Sequence, residues 1–182
     1  MYVLSVCVCK LSVCHEMRDL EIVVSDCLSP SAHVADVVSR NHRRAAFILR
    51  ALTSQNVRLL FRAFIVYVTP VLEYNTIIWS PHTVHDIEAV KSVQRRFTKC
   101  LNGFRQFPYE ERLRRLDLQI LELRRLHLDL MWRYKVVFGL VDTDMNDFFK
   151  FNTRTTSRGH RHKLYKERAI TGTRSHFLAN VL

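Results

Sequence analysis

SPSAHVADVVSRNHRRAAFILRAL, residues 29–52, is where the chain changes its period, and its reading decides the fold. Val34, Val37, Val38, Ala45, Ile48, Leu49 and Leu52 recur at helical spacing and share one face. Arg40, Asn41, Arg43, Arg44 and Arg50 take the opposite face. Ser29 suits an N-cap and Pro30 the first helical position, where a missing N–H is harmless. The spacing predicts a helix over 30–52.

Downstream the same pattern repeats. Val57, Leu60, Phe61, Phe64 and Val68 define a second helix, capped by Ser54 and ended before Thr69-Pro70, because the residue before proline avoids the helical region. Residues 70–81 hold Leu72, Tyr74, Ile77, Ile78 and Trp79 and read either as a short helix or as a buried loop. Thr83 and Asp86 resemble a capping box ahead of Ile87, Val90, Val93, Phe97 and Leu101, and Asn102-Gly103 supplies a stop. Pro108 opens a helix whose first turn carries Glu110 and Glu111, on the positive end of its dipole. A last long helix is predicted over 119–139. Leu123, Leu126, Leu130, Tyr134 and Val137 should line its packed face, with Glu122–Arg125 and Asp129–Arg133 pairing on the surface.

Upstream, residues 2–13 alternate loosely and are rich in valine, and Ile22-Val23-Val24 is a second β-like run, so a hairpin is expected within 1–28. The opening run is too short to span a bilayer, and it lacks the basic start of a signal peptide. Beyond 141 the periodicity fades. Phe148, Phe149 and Phe151 form an aromatic cluster, and from Lys150 to Arg174 Glu167 is the only acid among eight basic residues. The fold class that emerges is mainly α: a helical bundle over 29–140, a short N-terminal β-hairpin, and a basic extension over 141–182.

Composition agrees. The 182 residues include only four glycines and four prolines, too few for an all-β fold with many tight turns. The formal net charge is +11 and the pI about 9.9, a balance that attracts phosphate backbones or anionic membranes. Five cysteines, an odd number crowded toward the N-terminus, point to reduced thiols in an intracellular protein, and the basic charge adds nucleus or cytoplasm as the expected place.

Several ordered words carry a resemblance. They are RDLEIVVSDCLSPSAHV at 18–34, FRAFIVYVTPVLEYNTIIWSPHTVHDIEAVKSVQRRFTK at 61–99, YEERLRRLDL at 109–118, LELRRLHLDL at 121–130 and TRTTSRGHRHKL at 153–164. Together they resemble the C-terminal part of reverse transcriptases of non-LTR (LINE-type, jockey- or CR1-like) retrotransposons. Pro70, Leu72, Tyr74, Trp79, Pro81, Gln94, Arg95 and Arg96 occupy the family's pattern. Glu21 stands where the family has glycine. The resemblance implies a region after the catalytic palm: a helical thumb and the segment downstream of it, which holds template–primer duplex by its backbone. It also implies missing upstream polymerase domains as neighbours, and RNA, DNA or an RNA–DNA hybrid as ligand.

Catalysis is not expected of this chain alone. Polymerases hold two divalent metals about 4 Å apart on palm carboxylates, and the parent's Mg2+ would sit in that absent palm. Here no Asp-Asp pair occurs, and Asp142 and Asp144 read as a solvated loop. No resident cofactor or metal is expected. Cys7, Cys9, Cys14 and His15 lack the paired spacing of a zinc site and read as buried strand cysteines beside a histidine. Cys100 reads as a core residue, and His160 and His162 as part of a polar tail. The candidate nucleic-acid contacts are Arg95, Arg96, Lys99, Arg112, Arg114, Arg115, Arg124 and Arg125, with Arg154, Arg158, Arg161 and Lys163 in the extension. Such groups position a backbone without reading sequence. Tyr74 and Trp79 are expected to be buried rather than to stack on bases. The alternatives are a helical protein-interaction module, and an unstable remnant that exposes apolar faces near Ile77, Ile78 and Trp79.

Overall fold

The computed structural model describes residues 14–52, 56–149 and Tyr165. In chain order the elements are β1 (Glu16–Asp19), β2 (Ile22–Ser25), α1 (Ser31–Ala51), α2 (Val57–Tyr67), α3 (Thr69–Glu73), α4 (Thr76–Trp79), α5 (Val84–Cys100), α6 (Tyr109–Arg115), α7 (Leu121–Val137) and α8 (Met145–Phe148). The described chain is therefore mainly helical with a short antiparallel hairpin at its N-terminal end. The strand expected in 2–13, Phe151 and the basic stretch from 150 onward, Tyr165 apart, lie outside the described residues. The cap of α2 is Asn56 and not the expected Ser54: Asn56 Oδ1 accepts the Arg58 and Leu59 N–H groups at 3.0 and 3.4 Å. None of the described helices is long and apolar enough to cross a membrane.

The hairpin is formed by residues on either side of Leu20-Glu21. Asp19 pairs with Ile22, which leaves those two residues as the whole turn, with φ of +44° and +67°. Two left-handed positions in a row match the right-handed twist of the strands. Side chains resist that region by roughly 1–2 kcal/mol per residue. Opposing this strain is a ring of four charges. Arg18 and Arg40 each reach Glu21 (3.3 and 3.1 Å), and each also reaches Asp36 (3.1 and 3.0 Å). His33, buried in α1, accepts the Val23 N–H at 3.1 Å and sets its ring edge-on to Trp79 at 4.9 Å. Cys14, expected to be buried, is exposed, because it precedes the paired residues.

α1 packs along α5, and this pair is the centre of the core. Val34, Val37, Ala45 and Ile48 meet Val90, Val93 and Phe97, all buried. Phe64 of α2 stacks on Phe97 at 4.4 Å. Truncating a core phenylalanine of this kind to alanine costs about 3–5 kcal/mol. α1 begins at Ser31, with Pro30 at the cap position and Ser29 Oγ accepting the Ser31 N–H at 3.4 Å. Half of the expected box at α5 forms: Thr83 Oγ1 accepts the Asp86 N–H at 3.1 Å, while the Asp86 carboxylate takes the Thr83 hydroxyl rather than its backbone N–H. Asp86 also ties the two helix starts together, accepting from Ser31 Oγ and Thr83 Oγ1 at 2.8 Å each. Burial pushes its carboxyl pKa up, but the hydrogen bonds from Ser31, Thr83 and His85 outweigh it and hold the group below the ordinary range.

Residues 70–81 resolve into two short helices joined through Asn75, whose φ is +50°. Trp79 is buried and donates its indole N–H to the Tyr74 carbonyl at 2.7 Å, whereas Tyr74 and Ile78 are exposed. The expected Ile77-Ile78-Trp79 face is thus divided between inside and outside.

α7 reverses the expectation. Leu123, Leu126, Leu130 and Tyr134 are exposed, while Arg125 and Arg133 are buried with Leu121 and Val136. The reason lies in the helix itself, which carries apolar residues on two opposite sides, Leu121, Leu128, Trp132 and Val136 on one and Leu123, Leu126, Leu130 and Tyr134 on the other, so its own pattern does not select the packed side. The expected surface pairs are absent among the described residues. Glu122 reaches Lys91 of α5 at 2.8 Å, and Asp129 turns inward. Arg125 Nη1, Asp129 Oδ1 and Arg133 Nε are shielded from solvent without a hydrogen-bond partner among the described residues. Burial raises the Asp129 pKa and lowers those of Arg125 and Arg133.

Candidate nucleic-acid interface

The predicted basic residues part company on α5. Gln94, Arg95 and Arg96 are consecutive, so each points about 100° from the last. Gln94 is fully buried. Its Oε1 accepts the Tyr109 hydroxyl at 2.6 Å and its Nε2 donates to the Gln119 carbonyl at 3.3 Å. Burial pushes the Tyr109 pKa up to about 12, so that phenol stays a donor. Arg95 turns toward α6, pairs with Glu88 at 2.7 Å and lies over the Tyr109 ring at 5.4 Å. Arg96 turns the other way, toward α1.

Toward α6 and α7 the cations are engaged. Arg112 is buried, donates to the Arg95 carbonyl at 3.0 Å and also lies over the Tyr109 ring at 5.6 Å. Burial disfavours its charge. Arg114 and Arg115 share Glu111 at 2.7 Å each, and Arg115 stacks on Phe107 at 3.7 Å. Arg124 makes a two-armed pair with Glu73, one arm of it 3.0 Å, and the hydrogen bonds it donates to that carboxylate raise its pKa. Arg125 is buried. Lys91 is held between Glu122 and Glu88, and these contacts raise its pKa. Six of the eight predicted contacts in the described bundle therefore have protein partners or lie inside, and a backbone phosphate would have to displace those partners.

Toward α1 the picture changes. Between α1 and α5 lies a cavity of about 270 Å³, with Arg43, Arg50 and Arg96 among its lining residues. It shares Arg96 and Cys100 with a shallower depression of about 630 Å³ that runs past Lys99 to Gly103 and Arg105. Gly103, at φ +77°, makes the turn that brings Arg105 back alongside. No carboxylate lines either hollow, and none of Arg43, Arg50, Arg96, Lys99 and Arg105 forms an ion pair among the described residues. Arg43 and Arg50 are seven residues apart, about 10 Å along the axis. His42 bridges the two helices through Ser92 Oγ at 3.1 Å. Burial first, then the charge of Arg96, lowers its pKa. Cys100, expected in the core, is exposed here, because α5 ends at this residue and its flank opens onto the groove.

Of the predicted contacts, then, Arg96 and Lys99 reach one groove, and Arg154, Arg158, Arg161 and Lys163 lie outside the described residues. Sequence reasoning did not single out Arg43, Arg50 and Arg105, which line the same groove, although a signal was present. No acid occurs between Asp36 and Glu73, a stretch with six arginines, nor between Glu88 and Glu110, a stretch with five basic residues. The groove is where α1 from the first stretch meets α5 from the second. Among the described residues no three His, Cys, Asp or Glu side chains converge as metal ligands, and Asp144 caps α8 by accepting the Asn146 N–H at 2.9 Å.

No protein family, no curated protein and no solved structure matches this chain.

Proposed function

We propose that the chain grips the sugar–phosphate backbone of RNA, DNA or an RNA–DNA hybrid without reading sequence. On this reading it serves as the post-palm part of a LINE-type reverse transcriptase and leaves phosphoryl transfer and its Mg2+ to the palm. The observation that carries the reading is the groove between α1 and α5, where five cations gather with no carboxylate in the lining. Phosphates meeting those cations release condensed counterions, so binding falls steeply with salt.

The test is anisotropy of a labelled RNA–DNA primer-template across a salt series. Replacing Arg43 and Arg96 together by alanine should weaken binding by about tenfold and flatten the salt slope by roughly 1.5. Replacing Arg114 and Arg115, held by Glu111, should change it less than about threefold. A folded chain that ignores the primer-template at low salt sinks the proposal.

One observation favours a second reading, a protein-interaction module. Leu123, Leu126, Leu130, Tyr134 and Phe138 form an exposed apolar stripe along α7, larger in character than scattered surface leucines. A stable complex lost on changing Leu126 and Leu130 to serine, with primer-template binding intact, would support it.

A further inference from the structure

We infer that the cavity between α1 and α5 takes one unstacked nucleobase, so that the groove prefers single strands to duplex. This rests on reading the groove as a backbone-binding surface and adds to it what lies beneath the charges. Arg43, Arg50 and Arg96 form the rim, but the floor is apolar: Ala45 and Val93 are buried, Leu49 is half-buried, and Phe97 closes the bottom.

A duplex presents only phosphates to such a rim, because its bases are paired and stacked inside. A single strand can splay a base away from its backbone, and base-enclosing sites use that freedom. The cavity, about 270 Å³, is just below the roughly 300–1,000 Å³ of pockets for drug-sized ligands. That suits one base, with its flanking phosphates outside on the arginines. Phe97 is not a stacking platform, since its ring is buried against Phe64 at 4.4 Å. The base is instead held between the aliphatic walls of the two helices.

His42 supplies a polar edge. Ser92 gives its hydroxyl proton to the Ala89 carbonyl at 2.6 Å, so its oxygen accepts from His42 Nε2 at 3.1 Å. That assignment leaves His42 Nδ1 as an acceptor for a ring or exocyclic N–H of the base.

The experiment compares three labelled probes on the full chain at one salt concentration: a short oligoadenylate, an abasic strand of the same length, and the blunt duplex of the oligoadenylate. The oligoadenylate should bind about tenfold more tightly than the abasic strand, with the duplex also weaker than the oligoadenylate. Ala46 is exposed at the cavity wall, so Ala46→Trp fills the space without disturbing the core, which a thermal melt checks. It should bring the oligoadenylate down to the abasic level and leave the abasic strand unchanged. Arg96→Ala should weaken all three. If all three probes bind alike, or if Ala46→Trp weakens them equally, the base site is overturned and the backbone reading stands. If none binds even at low salt, both fall.

Discussion

The two flanks of α5 carry similar cations and use them in opposite ways. Toward α6 and α7, Arg95, Lys91, Arg112, Arg115 and Arg124 are answered by Glu88, Glu122, Glu111 and Glu73, by carbonyls and by the rings of Tyr109 and Phe107. Toward α1, Arg43, Arg50, Arg96 and Lys99 face a groove with no carboxylate in its lining. The first flank binds the protein to itself. The second leaves its charge for something else. A count of basic residues cannot tell these apart, because what matters is whether an acid lies within reach after folding.

The largest effect should come from reversing the second flank. Arg43→Glu with Arg96→Glu places two carboxylates in the groove and should weaken primer-template binding by about a hundredfold or more, while the thermal melt stays within a few degrees. A similar loss from Arg114→Glu with Arg115→Glu would erase the distinction between the flanks. The next effect belongs to the first flank. Gln94→Leu strips the half-buried Tyr109 hydroxyl of its acceptor and should cost about 1–3 kcal/mol in denaturant unfolding, with binding per folded molecule unchanged.

Acid should act on folding through His33. Burial, with the charge of Arg40, lowers its pKa below the ordinary histidine value, so the unfolded chain binds the proton more readily. Its contribution is whole above the ordinary histidine range and is lost as pH falls through the lowered pKa. Melting temperature should therefore drop between about pH 7 and pH 5, and His33→Gln should flatten that limb. Asp86 is depressed in the same direction and acts at lower pH, so a second fall should survive in the variant. The smallest effect tests the hairpin. Glu21→Gly relieves a left-handed residue but gives up exposed ion pairs, for a net change under about 1 kcal/mol. Glu21→Ala keeps the strain and loses the pairs, and should be the less stable by about 1 kcal/mol.

Much of the fold was legible where helices are one-sided. α1, α2 and α5 bury or half-bury the valines, leucines and phenylalanines that their spacing marks, and Thr83 caps where its position relative to Asp86 implies. α7 was not legible, because it is apolar on two opposite sides and the packed one depends on neighbours elsewhere in the chain. His33 and Asn41 sit inside α1's apolar face for the same kind of reason. His33 finds the Val23 N–H, and Asn41 donates to the Val37 carbonyl at 2.8 Å. The site was half legible. Arg96 and Lys99 were identified, but the pairing of Arg124 with Glu73, 51 residues away, is a product of the fold and no local pattern announces it. The acid-free stretches were in plain view and pointed to α1.

The divergence of Gln94, Arg95 and Arg96 has a consequence for how such a segment can change over generations. Each residue owes its task to its angle on the helix. One codon added or lost early in α5 would turn the rest of the helix by about 100°. Gln94 would leave its buried socket, and Arg96 would swing off the groove. Exchanges of one letter for another in α5 can be absorbed position by position, whereas a change in their number cannot. Insertions and deletions should therefore be tolerated hardly at all between Val84 and Cys100.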